Sequence, residues 1–165
     1  MKSSDLLIII PAYNEEGSIE NVVDNIIRNY SQYDYVIIND GSKDRTSAIC
    51  HVNGYNIVDL PVNLGLAGAF QTGLRYAYEQ GYKKAVQFDA DGQHLPEYIS
   101  VLEEKMDEGY EMVIGSRFVT EKRETSLRMM GNILISAAIK LTTGKTINDP
   151  TSGMRMFSEG LVKEF

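Results

Sequence analysis

Leu6-Leu7-Ile8-Ile9-Ile10-Pro11-Ala12-Tyr13-Asn14-Glu15-Glu16 is the stretch that decides the fold class. Five consecutive apolar residues leave no polar face, the pattern of a parallel strand covered on both sides. The run breaks at Pro11. Ile19, Val22, Val23, Ile26, Ile27 and Tyr30 then recur at helical spacing, which predicts an amphipathic helix. The alternation continues. Residues 35–38 predict a second strand, and Ala48, Ile49 and Val52 a short helix stopped at Gly54. Residues 55–60 predict a third strand, followed by a helix from Leu66 through Phe70, Leu74 and Ala77 that ends at Gly81. Residues 84–88 form a fourth, with Pro96 opening a helix that turns Ile99 and Leu102 inward and closes at Gly109. Residues 112–114 are the fifth, 127–141 a last long helix, and 149–153 a turn-rich connection. Five strand–helix alternations over short loops imply an α/β, three-layer α/β/α sandwich around a mostly parallel central sheet. Residues 158–165 begin a helix with no cap, so we expect one domain over 1–165 that is incomplete at its C-terminal end.

A chain of 165 residues with 43% apolar side chains can bury a real core. The net charge of −7 argues against a general nucleic-acid binder. Six Lys/Arg against two Glu nevertheless fall between Arg117 and Lys145, a basic stretch in an acidic chain. Cys50 has no partner for a disulfide, no signal-like segment precedes the first apolar run, and no apolar run reaches the ~18 residues of a membrane span. We expect a cytoplasmic protein, at most a visitor to the inner face of a membrane.

Val86-Gln87-Phe88-Asp89-Ala90-Asp91-Gly92-Gln93-His94 carries the strongest chemical signal. An apolar strand ends and releases two carboxylates one residue apart, with Gly92 free to make the turn that lets them converge. Asp89, Asp91 and the amide oxygen of Gln93 are an all-oxygen set suited to Mg²⁺ or Mn²⁺. A solvated Asp-Gly turn would read the same way. The other strands argue against that. Glu15, Asp40 and Arg117 also follow strand ends, and in a doubly wound sheet these ends share one edge, where ligands bind. Pro11, Ala12 and Tyr13 can present backbone and a ring to a planar base, and Glu15 can hold ribose hydroxyls. Glu15 and Glu16 also suit a helix start. Asp40 suits an Asx-turn or cap, Asp44 reads as a cap, and Cys50 as core. Residues 65–68 resemble a phosphate-cradling loop at a helix N-terminus, without the spacing of a dinucleotide or P-loop motif.

Pro-Ala-Tyr-Asn-Glu-Glu at 11–16, Asn-Asp-Gly-Ser-Lys-Asp-Arg-Thr at 39–46, Asn-Leu-Gly at 63–65 and Asp-Ala-Asp-Gly-Gln-His at 89–94 resemble family 2 glycosyltransferases of the GT-A fold. Gly-Ser-Arg at 115–117 and Asp-Pro-Thr-Ser-Gly-Met-Arg at 149–155 narrow the resemblance to dolichyl- or polyprenyl-phosphate mannose or glucose synthases. The resemblance implies a metal-dependent, inverting transfer of a hexose from a GDP- or UDP-linked sugar to a lipid phosphate. It implies that Pro11, Ala12, Tyr13, Glu15, Ile38 and Asp40 hold the nucleoside, with Ala90 beside it. Asp89 and Asp91 would engage the sugar diphosphate and metal, and Gln93 would complete the metal shell. Arg117 and Arg128 would grip the acceptor phosphate, with Asn132 nearby, and Arg155 would contact the diphosphate. A saccharide hydroxyl as acceptor, in cell-surface polysaccharide synthesis, would need a base, for which Asp149 is the candidate. A non-catalytic nucleotide-sugar binder is a further alternative. Two departures stand out: Asn39 where the family more often has Asp, and Leu66-Ala67 where many relatives carry a Lys or Arg.

Overall fold

Pro11 does not end the first strand. The computed structural model describes residues 3–91, 96–115, 140–142, 144 and 153–164. In it β1 spans Leu6–Ala12, with all seven residues buried. The ladder to the neighbour on one side stops at Ile9–Gln87, while on the other side it continues to Ala12–Asn39. A proline lacks the N–H that a central strand must donate on one side, so pairing ends there and survives on the other. The remaining elements are α1 (Ile19–Asn29), β2 (Asp34–Asn39), α2 (Thr46–Val52), β3 (Ile57–Asp59), α3 (Gly65–Glu79), β4 (Lys84–Gln87), α4 (Tyr98–Asp107), β5 (Met112–Ile114), β6 (Arg155–Ser158) and α5 (Glu159–Glu164).

The sheet order is β3-β2-β1-β4-β6-β5. β1 runs parallel to β2 and β4, and β2 parallel to β3. β6 pairs antiparallel with both β4 and β5 and separates them. The expectation of a mostly parallel sheet holds, but residues 155–158 form a strand that the alternation did not show. One apolar cluster joins the sheet to α1, α2 and α4 through Val23, Ile26, Cys50, Ile99 and Leu102. The other joins the opposite face to α3 and α5 through Ala69, Leu74, Ala77 and Val162. These are the three layers expected.

α1 buries its expected face except at Ile27, whereas α2 is rotated relative to its own. In α1 the buried stripe is Ile19, Val22, Val23 and Ile26, and Ile27 is exposed. In α2 Thr46 and Cys50 face inward while Ala48 and Val52 are exposed. The Thr46 hydroxyl is recruited by polar partners described below, and that turns the helix. The helix expected over 127–141 lies outside the described residues up to 139, and 140–142 are helical.

Candidate active site

Order reverses between β1 and β4, so the crevice beyond their C-terminal ends is the switch point at which open α/β sheets take ligands. β6 enters the sheet from that edge because it runs antiparallel to β4. Among the described residues, the buried polar or charged side chains are Asn39, Asp40, Thr46 and Gln87, and all four sit at this edge. A polar group is costly to bury unless it is bonded. Their concentration at one edge separates it from the rest of the core.

The β1–α1 and β2–α2 loops are laced together. Asn14 N donates to Ser42 Oγ at 3.0 Å, and Lys43 N donates to Asn14 Oδ1 at 2.8 Å. Asn14 has φ +57°, a left-handed conformation that Asn tolerates better than most residues. Glu15 N donates to Thr46 Oγ1 at 2.8 Å, and Thr46 Oγ1 donates to Asp44 Oδ1 at 2.6 Å. Asp44 also accepts from Thr46 N and Glu16 N, but it precedes the helix's N-cap residue, Arg45, and ties the two loops together instead of being the cap expected. Burial raises its carboxyl, but these hydrogen bonds outweigh that and hold it below the usual range. Glu16 accepts from Arg45 N and Nε, a brace between the loops. The Glu15 carboxylate accepts from Ser18 Oγ at 2.5 Å and its carbonyl from the first amides of α1, so Glu15 also braces the helix start.

At the end of β2 the Asp40 carboxylate accepts from Leu64 N at 2.6 Å, just ahead of α3. The side-chain contact to the β2–α2 turn comes instead from Asn39, whose Oδ1 accepts from Ser42 N at 3.2 Å. Asn39 Nδ2 donates to Asp59 Oδ1 at 2.6 Å. Asp59 also accepts from Ser47 Oγ and lies 2.7 Å from His51 Nε2. Burial raises the Asp59 carboxyl, yet Asn39, His51 and Ser47 hold it below the usual range. Gly41, at φ +66°, lies so close to the backbone of Val62 and Asn63 that a Cβ would meet them at 2.8 Å. Residues 65–68, read as a possible phosphate loop, form the first turn of α3 at this same edge.

Tyr13 is exposed beside these loops. Pro11, Ala12, Ile38 and Ala90 are buried, so what they offer a ligand is backbone. Asp89 is half-buried and Asp91 exposed at the end of β4, and Gln87 Nε2 donates to Asp89 Oδ1 at 3.1 Å. Arg155 stands opposite Gln87 in the β4–β6 ladder, and directly opposed residues share a face of the sheet. The carboxylate end and the arginine expected at the diphosphate are therefore neighbours. Gln93, Arg117, Arg128, Asn132 and Asp149 lie outside the described residues. No group of three or more His, Cys, Asp or Glu arranged for a metal occurs among the described residues. Two carboxylates at a strand end still fit Mg²⁺ or Mn²⁺, which keep waters and take substrate phosphates as ligands. Gln87, Ser42 and Thr46 were missed from the sequence. A glutamine inside an otherwise apolar strand was the available signal for the first.

A sequence model described as Glycosyl transferase family 2 matches residues 7–165. The chain belongs to glycosyl transferase family 2. This glycosyl transferase family 2 chain is 36% identical over 179 residues to the UDP-N-acetylglucosamine–dolichyl-phosphate N-acetylglucosaminyltransferase of Methanococcus voltae, covering 96% of the chain and 71% of that relative. It is 28% identical to the polyprenol monophosphomannose synthase of Mycolicibacterium smegmatis, over 96% of the chain and 63% of that protein. Both are named as polyprenyl-phosphate sugar transferases, the branch that the motifs resemble. Glucosyl-3-phosphoglycerate synthase of Mycobacterium tuberculosis, solved with Mn²⁺, UDP-glucose and phosphoglyceric acid, matches with a TM-score of 0.73 at 24% identity. The match covers 94% of this chain and 57% of that one, and it shows the GT-A fold. The chain thus spans little more than half of that solved chain. No helix among the described residues is long and apolar enough to cross a membrane.

Proposed function

We propose that this chain forms the donor-binding part of a transferase that moves a hexose from a nucleotide diphosphate sugar to a polyprenyl or dolichyl phosphate. The observation that carries the reading is the buried polar set at the β1/β4 switch point, where Gln87 is bonded to Asp89 and stands opposite Arg155 in the ladder. Relatives named for a UDP-sugar, dolichyl phosphate and polyprenol phosphomannose support the substrate classes. The solved neighbour with Mn²⁺ and UDP-glucose supports the donor and the ion.

In this reading Tyr13 and the backbone of 11–12 lie against the base, and the Asp40 carboxylate, held by Leu64 N, faces the nucleoside. Asp89 and Asp91, with Gln93, hold Mg²⁺ or Mn²⁺, and Arg155 meets the diphosphate. When bound, the ion supplies positive charge that neutralises the diphosphate and stabilises it as a leaving group. A phosphate oxygen of the acceptor attacks the anomeric carbon as the bond to the diphosphate breaks, and the nucleoside diphosphate leaves with that electron pair. An acceptor phosphate is ionised at pH 7 and needs no base. The basic stretch from Arg117 to Lys145, with Arg117, Arg128 and Asn132, suits an anionic lipid headgroup at a cytoplasmic membrane surface.

The test is calorimetric titration with UDP, GDP and their hexose conjugates, with Mn²⁺ and with EDTA. The expected result is tight binding of one nucleotide, weakened at least tenfold by EDTA and by Asp91→Ala. Binding that ignores both changes overturns the reading.

A further inference from the structure

Gln87 is a poor core residue in a good core position. It is 5% exposed at the end of a central strand, flanked in the sheet by Ile9 on β1 and Arg155 on β6. A branched aliphatic side chain would fill such a place without burying an amide. Among the described residues the amide makes one side-chain hydrogen bond: Nε2 donates to Asp89 Oδ1 at 3.1 Å. Strand alternation puts residues 87 and 89 on the same face, so the contact follows from the backbone. Asp89 lies two residues beyond the end of the strand and is only half-buried.

We propose that Gln87 is a positioning residue for Asp89. Its amide holds one carboxylate oxygen from inside the core and so orients the other toward the cation and diphosphate. This rests on the proposed role of Asp89. The buried donor acts as outer-shell partners of metal-binding carboxylates do: it reduces the freedom that the carboxylate would lose on binding, without adding charge. A carboxylate or an apolar group at 87 would respectively repel or release Asp89.

The experiment compares the wild-type chain with Gln87→Leu, Gln87→Glu and Asp89→Ala. Each is titrated with UDP or GDP, whichever the wild type binds more tightly, in Mn²⁺ and in EDTA, with thermal unfolding in parallel. Gln87→Leu is expected to weaken Mn²⁺-dependent binding by about tenfold, the lower end of outer-shell effects. Gln87→Glu should weaken it further, and both should leave the EDTA arm unchanged. Gln87→Met, matched in length and volume, carries the expectation of Gln87→Leu and guards against a folding defect. Wild-type Mn²⁺-dependent binding in Gln87→Leu and Gln87→Met, with loss in Asp89→Ala, overturns the inference alone. An equal loss in both arms marks a packing role and overturns it too. Unchanged binding in Asp89→Ala, or no binding by the wild type, overturns the assignment of Asp89 and the inference with it.

Discussion

Asn39 and Asp59 stand opposite each other in the β2–β3 register, and the 2.6 Å contact between them needs a neutral donor on one side. That requirement accounts for the departure from Asp at position 39. With Asp59 held as a carboxylate by Ser47 and His51, a second acid at 39 would face it across the ladder with no proton between them. Asn39→Asp is expected to cost about 1–3 kcal/mol, the penalty of a buried polar group left without its partner. Asp59→Asn in the same chain should recover most of it. Urea denaturation at pH 7 across the double-mutant cycle measures the coupling. The Asn39 side chain also holds Ser42 N, so the single mutant should weaken nucleotide binding as well. Residue identity at these positions was legible, whereas their partners were not: Asp40 looked like a turn former, and only the folded chain brings Leu64 N to its carboxylate. Cys50 was legible in full. Burial, and then Asp59, push its thiol up to about 11, so it should resist alkylation in the native chain at pH 8 and react once urea unfolds it.

Elements follow their apolar runs until a polar contact or a close approach overrides the pattern. α3 lies so near β1 that a Cβ on Gly73 would meet Ile9 Cγ2 at 2.2 Å. Helix propensity favours Ala there by ~1 kcal/mol, but overpacking a core contact costs about 1–3 kcal/mol. Gly73→Ala should therefore destabilise the chain in urea, against the propensity scale. α2 shows the polar override, because Thr46 is drawn inward by Glu15 N and Asp44, and no periodicity in 46–52 announces that. The start of β2 is tied to the chain's first described residues by Asp34, which accepts from Ser3 N, Ser3 Oγ, Ser4 N and Tyr82 OH. Burial raises the Asp34 carboxyl, and those four bonds more than reverse the effect. A carboxyl depressed on folding contributes stability that is present above its unfolded value near 4 and is lost as pH falls through its folded value. Asp34→Asn removes this contribution, so its stability should fall less steeply than the wild type's between pH 5 and pH 2 in acid titrations followed by circular dichroism.

At the scale of the molecule, β6 joins two parts of the sheet that would otherwise be unconnected. The parallel strands were legible because each is a continuous apolar run, and the edge that carries the site follows from their direction. β6 was not legible: it has four residues, buries Met156 and Phe157 on opposite faces, and pairs with β4, far earlier in the chain. Nothing local distinguishes it from the turn-rich segment before it. Yet β5 has β6 as its sheet partner, and β4 would be an open edge without it. Such an edge exposes unpaired N–H and C=O groups beside Ala85 and Val86, side chains that belong to the two core clusters. Arg155 would go with it, and with it the positively charged residue opposite Gln87. Truncation after residue 150 is thus expected to abolish cooperative thermal unfolding and nucleotide binding together. Met156→Ala, which keeps the strand but empties a fully buried site, should cost about 2–5 kcal/mol and retain binding under native conditions. If the truncated chain unfolds cooperatively near the wild-type temperature, β6 is dispensable for the core. If it also binds nucleotide with wild-type affinity, Arg155 has no part in holding the diphosphate.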